Sequence, residues 1–127
     1  MTSTAVTICP MLTEFVEFLQ TGQLRPDVFA TDAVIDFNVP SWRFSSRGPA
    51  AIAQQRHAAG PGPWQVVVDR AEPTPRGFVV ELHHAHADQY YRTLSLVTVA
   101  NGRILEVVHY CTGNWDAAAR EAYAAQR

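Results

Sequence analysis

A single histidine stands in a largely aliphatic row near the C-terminus, Ile104-Leu105-Glu106-Val107-Val108-His109-Tyr110-Cys111. An imidazole in apolar surroundings is a general acid or base near neutral pH, so His109 is the first candidate for proton transfer. The plain alternative is a core histidine satisfied by a carbonyl or a tyrosine. His83, His84 and His86 form a second group. His84 and His86 are spaced as a strand would present a metal pair. A third ligand is missing at matching spacing, so no metal is expected. Asp36 is a possible base if an apolar site raises its pKa. Tyr90 and Arg92 are donors suited to an oxyanion or enolate. Cys111 shares a face with His109, and nothing near it in sequence points to a lowered pKa, so it is read as packing.

The strands decide where these groups point. Asn101-Gly102 is the pair that best tolerates two successive positive φ values, the requirement of a tight primed hairpin turn. It joins a strand over Tyr90–Val99 to one over Arg103–Thr112. Alternation on the second puts Leu105, Val107, His109 and Cys111 on one face and Ile104, Glu106, Val108 and Tyr110 on the other. Glu106 belongs in water, so His109 is expected inside. On the first strand Tyr90, Arg92, Leu94 and Leu96 share the face expected inside. Tyr91, Thr93, Ser95, Val97 and Val99 are left for the outer face. Along Phe78–His86, the apolar Phe78, Val80 and Leu82 take His84 and His86 with them, and His83 joins Glu81 outside.

The remaining elements follow from periodicity. Pro10–Gln20 reads as a helix with the stripe Met11, Phe15, Phe18 and Leu19, stopped at Gly22. A very short helix is expected at Pro26–Phe29. Ala33–Val39 alternates as a strand, with Ile35, Phe37 and Val39 opposite Val34, Asp36 and Asn38. That alternation argues against Asp36 as a pocket base. Pro40–Pro49 reads as a loop holding Trp42 and Phe44. Ala50–Ala59 reads as a helix ended by Gly60-Pro61-Gly62-Pro63. A strand covers Trp64–Glu72, and Asn114 caps a last helix through Trp115–Gln126. This order is an α+β plan, helices on one face of a curved sheet.

The 127 residues make one domain with a sizeable core, and a net charge of −2 argues against nucleic acid or an anionic membrane surface as partner. No apolar run has spanning length, and the first residues lack a secretory leader pattern, so the expected location is the cytoplasm. Cys9 and Cys111 are read as free thiols in a reducing compartment. All ten basic residues are arginine, which reads as a coding bias. No glycine-rich phosphate loop, dinucleotide fingerprint or nucleophile elbow is present, so no nucleotide or redox cofactor is expected.

Three segments carry a resemblance. Phe29-Ala30-Thr31-Asp32-Ala33-Val34-Ile35-Asp36-Phe37 is similar to the helix-to-first-strand passage of the NTF2-like superfamily. Arg47-Gly48-Pro49-Ala50-Ala51-Ile52 is similar to the glycine before that superfamily's third helix. Gly102-Arg103-Ile104, leading to Tyr110, is similar to its last hairpin. Together they resemble the SnoaL-like branch of small bacterial proteins over nearly the whole chain. The resemblance implies a cone: a strongly curved, mostly antiparallel sheet wrapped around N-terminal helices and opening into an apolar pocket. Ketosteroid isomerase, scytalone dehydratase, limonene epoxide hydrolase, polyketide cyclases and silent binders share it, so it implies a pocket and not a reaction.

Position by position, the ketosteroid isomerase base falls on Phe37, with Asp36 one residue off. Its oxyanion acid falls on Leu94, and its first-helix tyrosine has no tyrosine match. That chemistry is therefore not expected, while the histidines are nearer to the dehydratase manner of working. The resemblance implies a substrate site walled by Trp42, Phe37, Phe15 and Trp64, with Leu94, Val107 and Cys111. His109 would be the hub, and Tyr90, Arg92 or His84 its polar partner. The implied function is a cofactor-free enzyme of bacterial secondary metabolism. It would isomerise, dehydrate or cyclise an apolar oxygenated molecule such as a polyketide intermediate. The alternatives are a binding module with the same pocket and a structural partner. A homodimer through the outer sheet face is also implied.

Overall fold

The computed structural model describes residues 3–58, 63–87, 89–113 and 117–126. The first helix, α1, runs Ser3–Thr21. It starts earlier than the proline signal implies and carries Pro10 inside, where one backbone hydrogen bond is given up. Phe15, Phe18 and Leu19 bury its stripe. Gly22 ends it at φ 72°, its N–H donating to the Phe18 carbonyl at 2.7 Å. Pro26–Val28 is a turn and not the expected short helix, because Asp27 sits at φ 69°, outside the right-handed helical region.

Strands follow at Phe29–Val39 (β1) and Trp42–Arg47 (β2), then the helix α2 at Pro49–Ala58. β2 replaces the expected loop. It pairs antiparallel with β1 from Val39↔Trp42 to Val34↔Arg47, across a tight turn with Ser41 at φ 67°. β3 is Gln65–Thr74, β4 Gly77–His86, β5 Gln89–Ala100 and β6 Arg103–Cys111. α3 spans Ala117–Ala125; the expected cap Asn114 and the Cys9 side chain lie outside the described residues.

The six strands form one curved sheet in the order β2-β1-β6-β5-β4-β3, antiparallel except for the parallel pair β1–β6. The architecture is α+β, with α1 and α2 on the inner face. Phe15 meets Phe78 of β4, and Phe18 meets Phe29 of β1, both edge to face. Among the described residues no helix is long and apolar enough to cross a membrane.

One extra residue overturns the expected faces of β5. Across the Asn101-Gly102 turn Val99 pairs with Ile104, but Thr98 pairs with Glu106, leaving Leu105 as a bulge. An unbulged hairpin would set Leu94 across from His109. The bulge sets Ser95 there instead, and a slip of one residue exchanges the two faces. Thr93, Ser95 and Val97 are therefore buried, and Tyr91 also points inward. Tyr90, Leu94 and Leu96 are exposed on the outer face, with Arg92 beside them. Ile104, expected outside, is completely buried.

Candidate functional site

Between β1, β2, α2 and the end of β6 lies a cavity of about 640 Å³. Phe37, Val39, Trp42 and Phe44 make one wall, and Ala51 and Ala58 of α2 take part in another. Its polar groups are Ser46, Gln54, Gln55, Tyr91 and Cys111. Ser46 Oγ donates to Gln55 Oε1. A much smaller cavity of about 20 Å³ lies deeper, lined by Phe15, Phe37, Gln55, Arg56 and His109 among others. Phe37 and Gln55 belong to both walls.

His109 reaches the interior as its strand alternation implies, and only 3 % of it is exposed. Its Nδ1 is 2.6 Å from Ser95 Oγ, so its partner is the serine that the bulge turns inward. The ring lies against Phe37 at 4.9 Å between centroids. Burial first, and the Arg56 cation second, push its pKa down to about 3, so the ring is neutral at physiological pH.

His84 is fully buried one layer further in. Arg56 has only donors, so its Nη2 must donate to His84 Nδ1 (3.2 Å), and Nε2–H of the neutral ring donates to Thr93 Oγ1 (2.9 Å). Its pKa is pushed down to about 2 by burial and then by Arg56, with His109 and His83 adding less. His86 points its Nδ1–H at the Pro63 carbonyl at 3.0 Å, and His83 is outside against Asp69. Among the described residues no group of three or more His, Cys, Asp or Glu is arranged to hold a metal ion.

Arg56 joins these pieces. It is buried, and its Nε donates to the Leu19 carbonyl at 2.7 Å and its Nη1 to Tyr91 Oη at 2.9 Å. Its guanidinium also lies 5.3 Å from the Trp64 ring centre. Burial lowers its pKa and Tyr91 counters that shift. Burial raises the Tyr91 pKa against the pull of Arg56, so the hydroxyl keeps its proton at neutral pH. The Tyr91 ring stacks on His84 at 4.6 Å. Burial likewise raises the Cys111 thiol, which stays protonated.

The other expected site residues divide by place. Trp42, Phe37 and Cys111 line the larger cavity, and Phe15 the smaller one. Val107 and Trp64 are core residues and not among the residues lining either. Leu94, Tyr90 and Arg92 are corrected to the outer face by the Leu105 bulge. There Arg92 lies 3.5 Å from Glu81 and 3.7 Å from Asp69. Asp36 also faces away from the cavity. Arg43 clamps its carboxylate at 2.9 and 2.7 Å and holds its pKa below the usual carboxylate value. Asp36→Asn is accordingly expected to leave ligand affinity and turnover unchanged, measured beside the wild-type chain; a loss of turnover would return Asp36 to the site.

Arg56, Tyr91 and Ser95 are the groups that sequence reasoning missed. Arg56 had a legible signal, since it lies four residues after the buried Ile52 and so on the same helix face. Tyr91 and Ser95 had none without the bulge.

No family model matches the chain, and no curated protein matches it. Solved structures do. An NTF2-like protein of unknown function from Mesorhizobium loti superposes with TM-score 0.68 at 22 % identity, over 86 % of this chain and 93 % of that one. An epoxide hydrolase of the LEH-like type from M. tuberculosis gives 0.65 at 19 % identity, over 95 % and 90 %. A candidate SnoaL-like polyketide cyclase from Jannaschia sp. gives 0.69 at 12 %, over 87 % and 89 %. At these identities the likeness is one of fold: the chain has the NTF2-like fold.

Proposed function

We propose that this chain is a small enzyme that holds an apolar oxygenated molecule in the larger cavity and moves a proton within it. Isomerisation, dehydration or cyclisation is the reaction class, and a polyketide-like carbonyl compound is a substrate of the right kind. The observation that carries the reading is the Arg56–Tyr91 hydrogen bond in the wall of a largely apolar cavity. Tyr91 accepts from Arg56, so its own O–H is left to donate to an oxygen of the bound molecule. The cation behind it favours negative charge developing on that oxygen, and it is already in place when the charge forms.

His109 is the proton acceptor. Its ring stands behind Phe37 and Gln55, which border both cavities, so proton transfer to it requires one of these side chains to move aside. Burial first and Arg56 second hold its proton affinity down. Negative charge forming at Tyr91 offsets the second cause, and the base gains strength as the reaction advances. The descriptions of two fold neighbours as a cyclase candidate and an epoxide hydrolase support small-molecule chemistry. A second reading, binding without turnover, is favoured by the low proton affinity of His109 and its place in the deeper cavity.

Deuterium exchange at the α-carbons of a panel of cyclic ketones, followed by NMR, tests the choice. The wild-type chain accelerates exchange of at least one ketone. His109→Leu keeps the circular dichroism of the fold and lowers the rate by about 10²–10⁴, the usual worth of a general base. An unchanged rate in His109→Leu overturns the role of His109. Binding without exchange in the wild-type chain decides for the second reading.

The proposal extends to a homodimer through the outer face, where Leu94, Leu96 and Tyr110 are exposed together. Sedimentation at micromolar concentration should give twice the chain mass; a monomer overturns it.

A further inference from the structure

We infer that the deeper cavity binds one water molecule between Arg56, Gln55 and His109, and that this water holds His109 in the tautomer whose Nε2 is bare. The inference rests on His109 being the proton acceptor of the proposed function. It adds the atom that accepts and the ligand that prepares it.

Size decides what the cavity can take. It measures about 20 Å³. One water needs roughly 10–15 Å³, whereas an organic ligand occupies a pocket of roughly 300 Å³ or more. The deeper cavity therefore admits water and excludes the substrate.

The lining supplies the partners. A buried water is kept by about two to four polar groups. Gln55, Arg56 and His109 bring polar side chains to a lining that is otherwise aliphatic and aromatic. Each has hydrogen-bonding capacity that no other described residue uses. Arg56 has five N–H donors, and the Leu19 carbonyl, the Tyr91 hydroxyl and the His84 ring take three. Gln55 gives its oxygen to Ser46, which leaves its amide N–H groups without an acceptor among the described residues. His109 meets Ser95 through Nδ1, and Nε2 has no protein partner among the described residues.

Donors and acceptors then orient the water. Arg56 can only donate, and Gln55 donates through its amide. Their N–H groups fill the lone pairs of the water oxygen, so an O–H is left for His109. The cation acts on the ring in the same sense. Arg56 lines the cavity, so the negative end of the imidazole, its bare nitrogen, belongs on that side. The N–H end belongs on the Ser95 side, where Nδ1–H donates to Oγ. The ring is neutral, so a proton on Nδ1 leaves Nε2 free to accept.

Solution NMR of the full chain with isotope-labelled histidine tests both parts without a ligand. At neutral pH Nε2 of His109 should resonate as a bare imidazole nitrogen and Nδ1 as a protonated one. The ring proton Hδ2, beside Nε2 and remote from the Ser95 hydroxyl, should show cross-relaxation with a long-lived water. Gln55→Met keeps the bulk of the side chain and removes its donors. It should lose most of that signal while the circular dichroism of the fold is kept. The wild-type measurements need no variant to fold. Absence of the water signal in the wild-type chain overturns the site, and a protonated Nε2 overturns the tautomer. A signal of full height in folded Gln55→Met overturns the three-partner arrangement. Ketone exchange is measured separately. If the wild-type chain shows the water and the bare Nε2 but exchanges no ketone, the proposed reaction fails and the water site stands.

Discussion

Between about pH 7.5 and about pH 5 the chain is expected to lose about 4 kcal/mol of unfolding free energy. His84 and His109 are the cause. Their folded pKa values, about 2 and about 3, both lie below the 6.5 of an ordinary imidazole, which the unfolded chain shows. Below pH 6.5 the unfolded state therefore binds protons that the folded state refuses. Stability is complete above that pH and falls as pH drops toward the folded values. Each histidine contributes about 1.4 kcal/mol per pH unit in this window, so about 2 kcal/mol each by about pH 5. A domain of this size has about 5–15 kcal/mol in all, so the loss is a large share. Asp36, with its lowered pKa, titrates well below this range and does not imitate the effect. Urea unfolding at the two pH values measures the loss. His109→Leu should remove about half of it, and a stability independent of pH in the wild-type chain would refute the buried neutral pair.

The second large effect is expected at Phe15. Its side chain is fully buried, sits edge to face on Phe78 and lines the deeper cavity beside His109. Phe15→Ala should lower the free energy of unfolding by about 3–5 kcal/mol, the loss of buried area plus the void left behind. The void adjoins His109, so water entering it would lessen the burial that holds the imidazole neutral. The variant should then show a shallower dependence of stability on pH as well as a lower midpoint. Unfolding with an unchanged denaturant slope and a midpoint within error of wild type would show that Phe15 is not part of the core that closes this cavity.

Much of the architecture is legible in residue spacing. The stripe Met11, Phe15, Phe18 and Leu19 has the helical period and becomes the inner face of α1. Strict alternation from Phe78 to His84 places His84 inside and His83 outside, because a strand without irregularity has no other way to bury Phe78, Val80 and Leu82 together. β2 was legible too: Trp42, Phe44 and Ser46 alternate with Arg43, Ser45 and Arg47, but Pro40 and Pro49 at either end disguise them as a loop.

What the amino-acid sequence determined by itself was therefore the α+β order, the Asn101-Gly102 hairpin and the inward side of His84 and His109. Only the tertiary structure decided who meets them. Leu105 is one aliphatic residue in a strand with aliphatic residues on both faces, so no polar side chain marks the bulge, yet it exchanges Leu94 for Ser95 opposite His109. Arg56 shares the helix face of Ile52, but which acceptors meet its donors, Tyr91 and His84, is decided only when β4 and β5 close over it. Local periodicity is a property of neighbours along the chain. The register slip is a property of the pairing of two strands, with Ser95 and His109 14 residues apart. The buried cation depends on groups 28 to 37 residues away that meet it only once the sheet has closed around the helices.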